Sequence, residues 1–263
     1  MQLPPFMNKL TIKGYMILFL SVLAFIGAFQ QGFLAALFQL LIALAVTVIL
    51  DELITFARKK KWIVPSSAVI SALFIGSILP VGTKWYLVVL AAAIAVLSKH
   101  ILRFRSRHIF NPANLGLLAI MVFFNTPMLW WGSSVFALVI LFGLFAAWRQ
   151  NKLVLVAAFA VSHSLLMLIH AYFVDISFLQ HILLLNPFFL LFMVTEPKTS
   201  PIGKKPQIVY GIFLAAIEVA ILYVLPQFDH SIIGLAIANI SVPFLNRMGV
   251  KKSNGLQKAQ EQP

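Results

Sequence analysis

No cysteine occurs among the 263 residues, which excludes disulfides, thiolate-held iron–sulfur clusters and Cys-ligated zinc together. Acidic residues are scarce as well, with 7 Asp and Glu against 20 Lys and Arg. Charged residues make up 10% of the chain, where a soluble domain carries about 25%, so a soluble globular protein is excluded. There is no Gly-rich phosphate loop, no catalytic triad and no metal-spaced His/Asp cluster, and hydrolytic chemistry has nothing to stand on. Met1 to Lys13 lacks the short apolar stretch and small-residue cleavage site of a signal peptide, so the first hydrophobic segment is expected to stay in the mature protein.

What the chain does have is apolar length. It is 61% apolar, with 24 phenylalanines, and the membrane is its solvent. Apolar segments run over about 14–28, 32–56, 66–80, 84–98, 113–124, 128–148, 153–174, 178–195, 207–225 and 230–246. With ten crossings and the N-terminus inside, every Lys and Arg except Lys84 falls on the cytoplasmic side, as the positive-inside rule demands. Asp175 and Asp229 fall outside. The net charge of +13 is therefore a topology signal with anionic-lipid contact as a second role, and nucleic acid is not an expected partner. Trp62, Trp85, Trp130, Trp131 and Trp148 lie near segment ends, where interfacial anchors are expected.

The expected fold is an all-α polytopic membrane protein, N-in and C-in, with about ten transmembrane helices in two inverted five-helix repeats. The N-terminus would cover 1–13, a single transmembrane domain 14–248 and a cytoplasmic tail 249–263. Within the domain, repeat one would take about 14–125 and repeat two about 128–248. Leu79-Pro80 is echoed by Glu196-Pro197, Ala92-Ala93-Ile94 by Ala215-Ala216-Ile217, and His108 by His230, at offsets of 117, 123 and 122 residues. Five crossings per half is an odd number, so the halves run in opposite directions, the arrangement that places a site at the repeat interface. Segments 66–80 and 113–124 are shorter than the roughly 20 residues that a bilayer requires, and Asn186-Pro187 interrupts 178–195.

Two proline-centred breaks carry the candidate chemistry. In Arg107-His108-Ile109-Phe110-Asn111-Pro112-Ala113-Asn114, Asn111 reads as an N-cap and Pro112 as the first helical residue. That start would aim free N–H groups at an anion or an electron-rich ring edge; the plainer reading is a capped helix after a basic loop. In Thr195-Glu196-Pro197-Lys198-Thr199-Ser200-Pro201 the Glu196 carboxylate and the Thr199 and Ser200 hydroxyls offer acceptors and donors, or Glu196 merely pairs with an inside lysine. Glu218 lies mid-segment, where an ionisable side chain marks a pathway, a relay or a partner. His163 and His170 share one face of the seventh segment, with His181 on the eighth; hydrogen-bonded interior histidines are the expected reading, ahead of haem ligation.

These residues bring a family into view. Ser71 to Phe74, Leu79-Pro80, Lys84-Trp85, Ser98-Lys99-His100 and His108 to Gly116 resemble the NqrB/RnfD family, as do Phe192 to Pro201, Gly203-Lys204 and Tyr210-Gly211. Its members are the large membrane subunits of the sodium-pumping NADH:quinone reductase and of the Rnf ferredoxin:NAD oxidoreductase. The resemblance covers about 66–125 and 187–245. It implies a ten-helix inverted-repeat fold similar to urea and ammonium channels, and flavin binding within an electron-transfer complex. Family members attach FMN to a threonine in a Ser-Gly-Ala-Thr motif; the chain has none, and Asn125-Thr126-Pro127 leaves no room for that loop. This argues against covalent FMN. The family's aspartate in the second break is Glu196 here.

The implied function is a membrane subunit of an Rnf/Nqr-like electron-transport system in the cell membrane. A noncovalent flavin (FMN or riboflavin) or a quinone would sit between the repeats, against Arg107, His108, Asn111, Asn114, Glu196, Thr199 and Ser200. Partners would be the lipid bilayer and either other redox subunits or a soluble redox protein on the basic cytoplasmic face. The alternative is a small-solute or ion transporter with Glu218 controlling passage, and a scaffold for soluble redox proteins is a third reading.

Overall fold

The computed structural model describes residues 11–104, 107–174 and 185–260, with side chains to 172 and from 185 to 247. Asp175, His181 and residues 178–184 of the expected eighth segment lie outside the described residues, as do residues 1–10 and the tail's side chains.

A single glycine separates the first two helices. Helix α1 (Ile12–Gln31) is capped by Thr11 Oγ1, which accepts from Gly14 N (3.2 Å), and it stops at Gly32. The φ of 92° there is open to glycine at no steric cost, and α2 (Phe33–Lys59) starts on the next residue. Helices α3 (Ser66–Ile78) and α4 (Trp85–Ile101) flank the Pro80 turn, since the residue before a proline is pushed out of the helical region. Two short strands, β1 (Arg103–Phe104) and β2 (Arg107–His108), form an antiparallel ribbon in the basic loop. Helix α5 (Pro112–Phe124) begins as the sequence reads, with Asn111 Oδ1 accepting from Asn114 N at 3.2 Å.

The second half holds α6 (Phe136–Arg149), α7 (Leu153–Val174), a π-helical stretch (Phe189–Met193), α8 (Lys204–Val224) and α9 (His230–Gln260). The sixth segment thus starts at 136 rather than 128, because Pro127 and the 3-10 turn Trp131–Ser133 occupy the span before it. Among the described residues, four helices, Ile12–Gln31, Phe33–Lys59, Leu153–Tyr172 and Lys204–Val224, are long and apolar enough to cross a membrane. α3 and α5, at 13 residues each, reach only about 20 Å.

The packing repeats. In the first half α1 lies on α3, α2 on α3 and α4, and α4 on α5. In the second half α6 lies on the π-helical stretch, α7 on that stretch and on α8, and α8 on α9. The halves join first helix to first, α1 with α6, and fifth to fifth, α5 with α9. An exchange of halves maps these contacts onto themselves, as in a twofold interface. A glycine seats each fifth helix against the fourth: a Cβ at Gly116 would overlap the Ala91 carbonyl, and one at Gly234 would press on Glu218 Cγ at 2.9 Å. Small residues at such crossings let helices pack closely where lipid supplies no hydrophobic drive. The protein is all-α, polytopic and built of two repeats.

The third segment of each half is the core. Phe74, Ile75, Ile78 and Leu79 of α3 and every residue from Phe188 to Val194 are buried. Broken helix ends at this depth are tolerated because protein surrounds them, and the carbonyls that α3 leaves over find partners. Gln39 Nε2 donates to Gly76 O (2.9 Å) and Leu79 O (3.1 Å), Trp131 Nε1 donates to Leu79 O (2.9 Å), and Leu129 N to Ile78 O (2.8 Å). Trp130 and Trp131 are accordingly not interfacial anchors. They are 8% and 2% exposed, against 70% for Trp62 and 63% for Trp85, because their indole N–H groups reach inward, Trp130 to the Asp229 carboxylate and Trp131 to the Leu79 carbonyl.

Candidate functional site

The two proline breaks meet. Asn111 caps α5, and the β1–β2 ribbon presents His108 and Arg107 immediately upstream. His108 Nε2 lies 3.1 Å from Glu196 Oε1, and Arg107 Nη2 donates to the Pro197 carbonyl. Thr199 Oγ1 donates to Glu196 Oε2 (3.1 Å), and Ser200 Oγ donates to Glu196 O (2.7 Å). Both Glu196 oxygens are therefore engaged by protein, and the Ser200 hydroxyl is spent on the turn that carries the carboxylate.

Asn239, fully buried on α9, holds the junction from behind. Its amide nitrogen donates to Tyr210 Oη (2.9 Å) and to Thr199 O (3.1 Å), while its oxygen accepts from Asn111 N (3.1 Å). The opposite amide orientation would keep only the Tyr210 bond. One side chain thus ties the first break, the second break and α8 together. Asn114 Nδ2 reaches across to Ile232 O of α9 (2.9 Å). Asn111 Nδ2 and Asn114 Oδ1, one donor and one acceptor, stay buried without a partner among the described residues. Asn111 and Asn114 are 1% and 0% exposed.

The surroundings are basic. Glu196 draws on Arg107, Lys99 and Lys198. Burial and neighbouring cations, Lys13 and Lys99 among them, hold Lys198 below the ordinary lysine range, with Glu196 opposing. Just before α7, the buried Lys152 donates from Nζ to Pro201 O at 2.6 Å. Burial, with Arg107 adding to it, pushes Lys152 down to about 8. A second ionic group ties α2 to α4: Asp51 receives Lys99 Nζ at 2.7 Å and His100 Nε2 at 2.7 Å, and Lys99 also donates to Ser67 Oγ (2.6 Å).

Of the residues that the sequence singles out, Arg107, His108, Asn111, Asn114, Glu196, Thr199 and Ser200 come together, and Glu218 does not join them. It stands two turns beyond Tyr210 on the same buried stripe of α8, about 12 Å further along. His163 and His170 part company: His170 Nδ1 bonds the Tyr223 hydroxyl, and His163 faces Glu218. Sequence reasoning passed over Asn239 and gave Tyr210 and Lys152 no part in the site. The signal for Asn239 was present, as an amide within Leu235-Ala236-Ile237-Ala238-Asn239-Ile240 whose partners lie far away in the chain.

The model of the NQR2, RnfD, RnfE family matches the chain twice, over residues 3–138 and 132–255, one match for each half of the doubled packing. No curated protein matches the chain.

Asn239→Leu strands the Asn111 N–H and the Thr199 carbonyl in a dry interior. We expect a loss on the order of 2–6 kcal/mol, read by thermal unfolding in detergent, with an unchanged midpoint counting against the bridge. Lys152 gives a pH signature. Between about pH 8 and pH 10.5 the unfolded chain keeps a proton that the native lysine has released, so native stability rises with pH there. The rise is on the order of 3 kcal/mol, and Lys152→Met should abolish it in unfolding midpoints compared across that window.

Proposed function

Because the chain belongs to the NQR2, RnfD, RnfE family, we propose that it holds a noncovalent flavin at the junction of its two breaks. Family membership makes it a membrane-embedded subunit of an Nqr/Rnf-type multisubunit complex. The observation that carries it is the pair of buried amide atoms left over at the start of α5, Asn111 Nδ2 and Asn114 Oδ1. The pyrimidine edge of an isoalloxazine ring alternates carbonyl acceptors with an N–H donor, and so offers a partner both to a free donor and to a free acceptor. A buried polar pair of this kind needs a partner.

The other residues suit the same occupant. Arg107, Lys152 and Lys198 form a basic rim that would receive the phosphate if the flavin is FMN. Glu196, fixed by His108 and Thr199, keeps that rim from carrying unbalanced positive charge. Asn239 orients Asn111 through its backbone N–H, so the amide edge is preset. When bound, the flavin supplies one- and two-electron transfer; the protein supplies orientation, exclusion of water and charge balance. His108 and Glu196 together hold a proton position beside the ring site. The basic face around Lys99, Arg103 and Lys198 would receive an acidic redox partner.

Purified protein should carry flavin that denaturation releases without a covalent remainder. Asn111→Leu and Asn114→Leu should each elute colourless while remaining monodisperse. Wild-type protein that is colourless and takes up neither riboflavin nor FMN on titration would overturn the reading.

A further inference from the structure

Nearer the far end of α8 lies a second polar cluster that the junction does not use. His163 on α7, Glu218 on α8 and His230 at the start of α9 each offer one ligand atom, and these atoms lie within 4.8 Å of one another. His163 Nε2 and Glu218 Oε2 are 3.6 Å apart, too far for a hydrogen bond. Ligands around a tetrahedral ion at about 2.0–2.2 Å are themselves about 3–4 Å apart, so the spacing suits an ion between them better than direct contact. His163 and Glu218 are each 1% exposed. Glu218 Oε1, His163 Nε2 and His230 Nε2 are all buried without a hydrogen-bond partner among the described residues. Three side chains that each keep a buried polar atom unpaired, gathered with their ligand atoms within 4.8 Å, are suited to a shared Lewis acid.

We propose that His163, Glu218 and His230 form a binding site for a divalent first-row transition metal ion. Two imidazoles and one carboxylate favour ions of the zinc and iron(II) kind over calcium or magnesium, which take oxygen ligands. The charge balances. Glu218 supplies one negative charge, and Asp229 supplies a second within electrostatic reach of both Glu218 and His230. Asp229 is itself fixed outside the ligand set, accepting from Trp130 Nε1 (2.6 Å) and from Ile232 N (3.1 Å).

The surrounding packing presets the ligands. The His163 ring stacks on Phe159 with centroids 5.4 Å apart. Gly234, having no Cβ, lets Glu218 lie against α9. Three protein ligands leave one coordination position open, and the site joins α7, α8 and α9 of one half. Spacing concealed it, because the three residues stand 55 and 12 positions apart in the sequence.

The test uses the full chain purified with a tag free of histidine, stripped with chelator and then titrated with Co²⁺ and, separately, Zn²⁺. Wild type should retain about one Zn²⁺ per chain after gel filtration and give visible Co²⁺ bands of a low-coordinate site. Glu218→Gln and His163→Gln should each weaken retention by at least about tenfold, and His170→Gln, one heptad away on the same helix, should leave it unchanged. Helical circular dichroism and a single elution peak establish that each variant is folded. Wild-type protein that shows only the octahedral spectrum of aqueous Co²⁺ overturns the proposal. So does equal retention by wild type and both ligand variants, which marks an adventitious ion.

Discussion

A backbone N–H or C=O inside a bilayer has no water to turn to, and each broken helix in this protein must find its partners within the fold. That requirement explains the two junctions between halves. At one, the carbonyls ending α3 are taken by Gln39, Trp131 and the backbone of Leu129. At the other, Asn239 takes the Asn111 N–H and the Thr199 carbonyl together. The halves cannot separate without stranding these groups, so closing the breaks and joining the repeats are one event.

The two junctions differ in chemistry although the packing around them repeats. The tryptophan-lined one satisfies carbonyls with the Trp131 indole N–H, the Gln39 amide and the Leu129 backbone and is sealed by aromatic bulk. The proline-break junction carries His108, Glu196, Arg107 and two amides with atoms to spare. A duplicated fold supplies two equivalent positions, and the ionisable pair His108–Glu196 stands at the proline-break one. The His163–Glu218–His230 cluster lies on the α8 stripe that also carries Tyr210, so one helix face serves both polar regions.

Much of this was legible in the sequence. Asn111-Pro112 announces its own cap because both effects are local, and the short segments mark themselves by length. The doubled Pro motifs reveal the repeat because each half must break a helix in the same place. What was not legible depends on tertiary contact. Trp130 and Trp131 sit at a segment edge in the sequence, and only the neighbouring Leu79 carbonyl and the Asp229 carboxylate show why they are buried. Asn239 looks like one polar residue among many until its three partners, from 28 or more residues away, are in place. The start of α6 was misjudged because Met128 to Trp131 is apolar enough to extend a helix, while Pro127 and the 3-10 turn forbid it.

The absence of native cysteine makes the central claim directly measurable. With His108→Cys and Glu196→Cys introduced together, a short thiol-to-thiol cross-linker should join the two positions within one chain, detected as a linked peptide pair by mass spectrometry. A folded protein in which these two cysteines react separately and never link would show that the breaks from the two halves do not meet, contradicting the account.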